Sequence, residues 1–118
     1  MTPNKEDYLK IIYELGEHGE KISNKRIAAK MSVSAPAVSE MVKKLLQAGL
    51  ILKDKQTGYL LTKEGMALTS ALYRKHRSIE VFLMNHLGYT ADEIHEEAEV
   101  LEHTVSDIFI MRISNKQL

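Results

Sequence analysis

The sequence predicts a mainly α-helical fold with a small β-hairpin wing, a winged helix-turn-helix followed by a helical region. Three segments with helical apolar spacing come first, the second and third joined by the very short connection Met31-Ser-Val-Ser34. Two short apolar runs around a polar, glycine-containing turn come next, in ILKDKQTGYLLT. Two further helical stretches follow, each with its own start and stop signals. A chain of 118 residues suits one domain with a modest core, or a domain with one appended element.

Thr2-Pro3 reads as an N-cap with proline in the first turn, followed by Tyr8, Ile11, Ile12 and Leu15 at helical spacing up to Gly16. A short second helix after Ser23 places Ile27, Ala28 and Met31 inward. Ser34 caps a third helix with Pro36 in its first turn, apolar positions Val38, Met41, Val42, Leu45 and Leu46, and Gly49 at its close. Leu50–Leu52 and Tyr59–Leu61 are the arms of the hairpin. Thr62 caps a long helix to about Leu87, and Gly88 stops it. Thr90-Ala-Asp-Glu93 has capping-box spacing and opens a last helix that continues to about Met111. Residues 1–62 are thus expected to form the winged helix-turn-helix, and residues 63–118 a helical region.

A formal net charge of zero hides a division of the chain. Residues 1–77 carry fourteen Lys/Arg against eight Asp/Glu, and residues 78–118 carry two against eight. The front half is therefore suited to a polyanion and the back half to cations. Cysteine is absent, which excludes disulfides and thiolate chemistry. The polar N-terminus MTPNKEDY is no secretory signal, and no apolar run approaches the roughly 20 residues that span a bilayer, so a cytoplasmic protein is expected.

In a helix-turn-helix the second helix of the pair presents its N-terminal residues to base edges in the major groove. Here those are Ser34, Ala35, Pro36, Ala37, Ser39, Glu40 and Lys43. Small residues permit close approach, Ser34, Ser39 and Glu40 can hydrogen-bond bases, and Ala or Pro can meet a thymine methyl. Lys25, Arg26, Lys30, Lys43, Lys44, Lys53 and Lys55 are candidates for phosphate neutralisation. A merely capped helix start surrounded by solvated lysines is the plainer alternative.

HEEAEVLEH, residues 95–103, packs four glutamates and two histidines into nine positions. At 100° per residue, His95, Glu99, Glu102 and His103 fall within about 100° on one helix face. His76 and Glu80 form another i, i+4 pair upstream. Such pairs can share one ion, although glutamate-rich faces are also commonly just solvated. Carboxylates with imidazole and no sulfur suit Mn²⁺ and Fe²⁺, while Zn²⁺ and other divalent ions would also bind.

Together NKEDYLKIIYELGE, NKRIAAKMSVSAPAVSEMVKKL, GYLLTKEG, LYRKHRSIEVFL and DEIHEEAEVLEHTVSD cover nearly everything from residue 4 to about 109. In these stretches the chain resembles the DtxR/MntR family of metal-dependent transcriptional repressors, its manganese-responsive, streptococcal-type branch especially. The resemblance implies a primary metal site of Asp7, Glu99, Glu102 and His103, and an ancillary site of His76, Glu80 and His95. It implies Mn²⁺, with Fe²⁺ possible, as effector, and a homodimer on an inverted-repeat operator in double-stranded DNA. No membrane, organic substrate or enzymatic activity is expected. The iron-responsive branch has Met and Cys where Asp7 and Glu99 stand, in keeping with the harder ligand set here. Lys10 stands where another manganese branch has a glutamate ligand, so that branch's dinuclear site is not expected whole. The sequence ends in IFIMRISNKQL, where relatives continue through further dimerisation helices and often an SH3-like domain; the dimerisation region is expected to be partial. The alternatives are a metal-independent winged-helix regulator, a truncated member with impaired repression and, furthest from the pattern, a di-metal enzyme.

Overall fold

The computed structural model describes residues 3–116. The order is α1 (Lys5–Glu17), α2 (Asn24–Met31), α3 (Ala35–Gln47), β1 (Ile51–Asp54), β2 (Gly58–Leu61), α4 (Lys63–Leu87), α5 (Ala91–Glu102) and α6 (Asp107–Asn115). Two compact units divide between Thr69 and Ser70, within α4.

In the first unit Tyr8, Leu9, Ile12 and Leu15 of α1 join Ile27 of α2 and Val38, Val42 and Leu45 of α3 in one core. Ile51 and Tyr59 add the inward face of the antiparallel hairpin, which pairs Ile51 with Leu61 and Asp54 with Gly58. The turn of the hairpin is held by Asp54, whose carboxylate accepts the backbone N–H groups of Gln56 and Thr57 at 2.8 and 2.9 Å. Those donors, that of Thr57 foremost, hold the Asp54 carboxyl below its ordinary range. The connection between α2 and α3 turns at Ser32, a non-glycine residue in the left-handed region (φ 55°) that caps α2.

The wing is tied back to the helices at two places. Ile22 donates to the Thr57 carbonyl at 2.9 Å and accepts from the Tyr59 N–H at 3.3 Å, adding a short parallel bridge at Gly58. Beyond the wing, Thr62 caps α4: its hydroxyl accepts the Gly65 N–H at 3.0 Å and donates to the Gly49 carbonyl at 2.6 Å. Gly65 lies so close to the end of α3 that a Cβ there would stand 2.0 Å from the Leu50 carbonyl oxygen.

In the second unit Ile79 and Leu83 of α4, Ala98 of α5 and Ile113 of α6 form a separate core, flanked by Phe82, Tyr89, Leu101, Val105 and Ile110. Glu93 closes the start of α5 by accepting both the N–H and the hydroxyl of Thr90 at 2.9 Å, as the capping-box spacing predicts. No helix among the described residues is long and apolar enough to cross a membrane.

Two expectations need correction. The first helix is capped by Asn4, whose side chain accepts the N–H groups of Glu6 and Asp7, while Asp7 accepts the Asn4 N–H at 2.9 Å. Two reciprocal bonds win over the single cap expected at Thr2, which lies outside the described residues. The last helix does not run on to Met111: it ends at Glu102, and Ser106 caps α6 by accepting the Phe109 N–H at 3.1 Å. Val105 turns into the second core at that break, so packing and a new cap together outweigh helix continuation. Leu46 is 38% exposed, and α3 buries the narrower stripe Val38, Val42 and Leu45. The compact first unit includes the start of α4 up to Thr69, with Thr62, Gly65 and Leu68 holding the first turns of that helix to it.

Gly65 permits a test in which propensity and packing have opposite signs. Alanine is favoured over glycine inside a helix by about 1 kcal/mol. Gly65→Ala should nevertheless destabilise the protein by about 2 kcal/mol or more in urea denaturation, because the Leu50 backbone must move. A stabilised variant would contradict the close approach.

Candidate functional site

The second unit gathers the residues of HEEAEVLEH with His76 and Glu80. Residues 76 and 80 lie one turn apart on α4, while His95, Glu99 and Glu102 lie along α5 and His103 is its C-cap. Ile79 and Leu83 on α4 and Ala98 on α5 pack together, which brings the polar faces beside them into register. Ala98 is fully buried, and its small side chain suits close approach at that point.

A short contact joins the two helices: His76 Nδ1 stands 2.7 Å from Glu102 Oε2. The other nitrogen of His76 is 3.6 Å from Glu80 Oε2, and His103 Nε2 is 3.6 Å from Glu102 Oε1. His95 Nε2 lies 3.8 Å from Glu99 Oε1, and the rings of His76 and His95 meet edge to face with centroids 5.6 Å apart. Ligand atoms of His76, His95 and Glu99 lie within 4.8 Å of one another, and so do those of Glu99, Glu102 and His103. Glu99 belongs to both groups.

The four glutamates of the motif therefore have different tasks. Glu102 is 3% exposed, and a carboxylate so far from water requires compensating charge or donors. Glu99 stands between the two groups. Glu97 accepts the hydroxyl of Tyr89 at 2.9 Å, and this bond, with the carboxylate charge, pushes the Tyr89 phenol up. Glu96 is exposed. The donor set of imidazoles and carboxylates, one of them buried, fits a divalent cation of hard or borderline character. Nothing in the sequence signals the contact between His76 and Glu102. They stand 26 residues apart on different helices, and only helix packing brings them together.

Asp7, the remaining expected ligand, belongs to the first unit, at the third position of α1 in the capping box with Asn4. The expected DNA-facing residues also lie in the first unit. Ser34 caps α3 by accepting the Ala37 N–H at 3.3 Å, and Ala35, Pro36, Ala37, Ser39, Glu40, Lys43 and Lys44 are exposed along its first three turns. Glu40 and Lys44 stand 3.7 Å apart on the helix surface. Lys25, Lys30, Lys53 and Lys55 are exposed, whereas Arg26 is partly buried, donating to the Lys21 carbonyl at 3.0 Å and lying 3.3 Å from Glu20. Arg26 thus has a bracing role that its charge alone does not reveal. Missed by spacing altogether is Asn24, which accepts the Tyr59 hydroxyl from the wing at 2.6 Å and donates to Ser39 of α3 at 3.4 Å.

A winged helix-turn-helix joined to helices bearing a histidine-carboxylate cluster defines a class of regulator, and comparison identifies its family. Residues 1–59 match the model of the iron dependent repressor N-terminal DNA binding domain. Residues 62–116 match that of the iron dependent repressor metal binding and dimerisation domain. The chain belongs to the iron-dependent repressor family. It is 36% identical over 107 residues to the diphtheria toxin repressor of Corynebacterium diphtheriae, covering 91% of this chain and 47% of that protein. The structure of the manganese regulator SloR is similar with a TM-score of 0.82 and 79% identity, over 99% of this chain and 54% of that one. ScaR with bound Zn²⁺ gives a TM-score of 0.91 at 65% identity, over 98% of this chain and 54% of that one. The chain thus spans about half the length of these relatives.

Replacing His76 with Ala in the metal-free protein removes the imidazole beside a buried carboxylate. A loss of about 2 kcal/mol in urea denaturation is expected, partly recovered when Glu102 is also made Leu. A loss below about 0.5 kcal/mol would show that the contact contributes little to the apo fold.

Proposed function

We propose that the protein is a metal-dependent DNA-binding transcriptional repressor that acts as a homodimer in the cytoplasm. Residues 1–62 carry the DNA-binding part, and residues 63–118 the metal-binding and dimerisation part. The observation that carries this reading is the pair of His/Glu groups sharing Glu99, with Glu102 buried among them. Glu99, Glu102 and His103 are the proposed primary ligands of this unit, with Asp7 as the further ligand that the family resemblance assigns. His76, Glu80 and His95 form the proposed ancillary set. A divalent cation, Mn²⁺ before Fe²⁺, supplies the positive charge that this crowd of carboxylates lacks. The similarity to SloR, a manganese regulator, supports that order.

The residues themselves do the rest. Glu99 and Glu102 repel one another when uncompensated, so the arrangement that brings the acidic ligands together is disfavoured without a cation. Coupling to DNA then needs only a difference in cation affinity between the DNA-competent arrangement and the others. In a dimer, two copies of α3 would enter successive major grooves about 34 Å apart, which calls for an inverted-repeat operator. Exposed Lys25, Lys43 and Lys44 would neutralise phosphates, with Ser34, Ala35, Pro36, Ala37, Ser39 and Glu40 at the base edges. Nothing in this reading calls for catalysis.

Operator fragments selected from a random DNA pool in the presence of Mn²⁺ are the substrate for the test. Binding should weaken at least tenfold on chelation, and Asp7→Ala and Glu102→Ala should each abolish that dependence. Metal dependence retained in both variants would refute the ligand assignment. Lys43→Ala should leave Mn²⁺ affinity unchanged while lowering the salt slope of DNA binding by about one per site. An unchanged slope would remove Lys43 from the phosphate contacts.

A further inference from the structure

The side chain of Asn24 is placed between the wing and the recognition helix. It stands in the first position of α2, beside the cap Ser23. The Tyr59 hydroxyl lies 2.6 Å from its Oδ1, and its Nδ2 lies 3.4 Å from the Ser39 hydroxyl oxygen. Tyr59 is 7% exposed, and burial pushes its phenol up, so its proton stays in place at any working pH. Ser39 is exposed on the first half of α3.

Such a chain of hydrogen bonds can run in either of two directions. In one, the phenol donates to the amide oxygen, the amide N–H donates to Ser39, and the serine proton points away from the protein. In the other, Ser39 donates to the amide oxygen, the amide nitrogen donates to the phenol oxygen, and the phenol proton needs another acceptor. The 2.6 Å separation decides between them. It is ordinary for O–H···O and shorter than the usual range of N–H···O. The second direction would also leave the buried phenol proton without its acceptor, at a cost of about 1–3 kcal/mol.

We propose that Tyr59 and Asn24 preset the Ser39 hydroxyl as an outward hydrogen-bond donor, so that Ser39 recognises an acceptor atom of the DNA. This rests on the DNA-binding reading above. The matching acceptors are purine N7, guanine O6 or thymine O4 on a base edge, or a phosphate oxygen. Asn24 and Tyr59 are positioning residues here, acting through Ser39 without touching DNA.

Asn24→Asp reverses the device with almost no change of shape. A carboxylate accepts from both neighbours, so the Ser39 proton turns inward and its lone pairs face the DNA. The added negative charge weakens DNA binding in general, and a double-mutant cycle cancels that effect. The measurement is the affinity of Mn²⁺-loaded protein for its selected operator, for the native chain, S39A, N24D and N24D/S39A, with thermal melts of each. Ser39→Ala should cost about five- to tenfold in the native background and less than about twofold beside Asn24→Asp. Tyr59→Phe, which removes only the orienting donor, should give an intermediate cost for Ser39→Ala. Additive effects of Ser39→Ala in all three backgrounds would overturn the inference. Operator selection repeated with N24D locates the acceptor. A changed preference at one base pair places it on a base edge, and coupling without any change of preference places it on a phosphate. Failure of the folded native protein to select any DNA would instead overturn the functional reading, and this inference with it.

Discussion

The pairing of His76 with Glu102 is the constraint on which the second unit depends. A carboxylate with 3% exposure is costly to bury, and an imidazole nitrogen at 2.7 Å makes its burial tolerable. The same contact sets α4 against α5, with Ile79, Leu83 and Ala98 packed alongside it. Glu99 and His103 are then carried into place by helix geometry, since they lie one turn or less from Glu102 on the same helix and its cap. Fold and candidate site are in this sense one object: the packing that buries Glu102 is the packing that collects the other candidate ligands.

The first unit follows a different logic, that of close backbone approach. Gly58 sits where a Cβ would meet the Ile22 carbonyl, in the left-handed region at φ 81° that glycine adopts freely. Gly65 lies against Leu50. These two glycines let the wing bridge to the segment before α2 and let α4 start beside the end of α3. Lysines can then cover the exposed surface while the interior stays apolar, as Tyr8, Leu9, Ile27 and Val38 show.

Much of this was legible in the residues. Ser34, Thr62 and Thr90-Ala-Asp-Glu93 announce helix starts because each side chain can satisfy an exposed backbone donor, and all three do so or close a capping box. The wing is legible because an apolar-turn-apolar pattern has few other uses. The break after Glu102 was not legible, because Thr104-Val105-Ser106 can continue a helix as well as end one. Its end depends on where Val105 can be buried. The His/Glu face of α5 follows from spacing within one helix, whereas its junction with His76 depends on how two helices pack. For Asn24 the obstacle was distance along the chain: its partner Tyr59 is 35 residues away.

The most direct test of the central claim is calorimetric titration of the metal-free protein with Mn²⁺, run beside a Glu99→Ala variant. Glu99 is common to both groups of candidate ligands, so the native protein should bind saturably and the variant should lose binding at both. Equal Mn²⁺ binding by the two proteins, or none by the native one in its folded state, would contradict the reading of this acidic cluster as a metal centre.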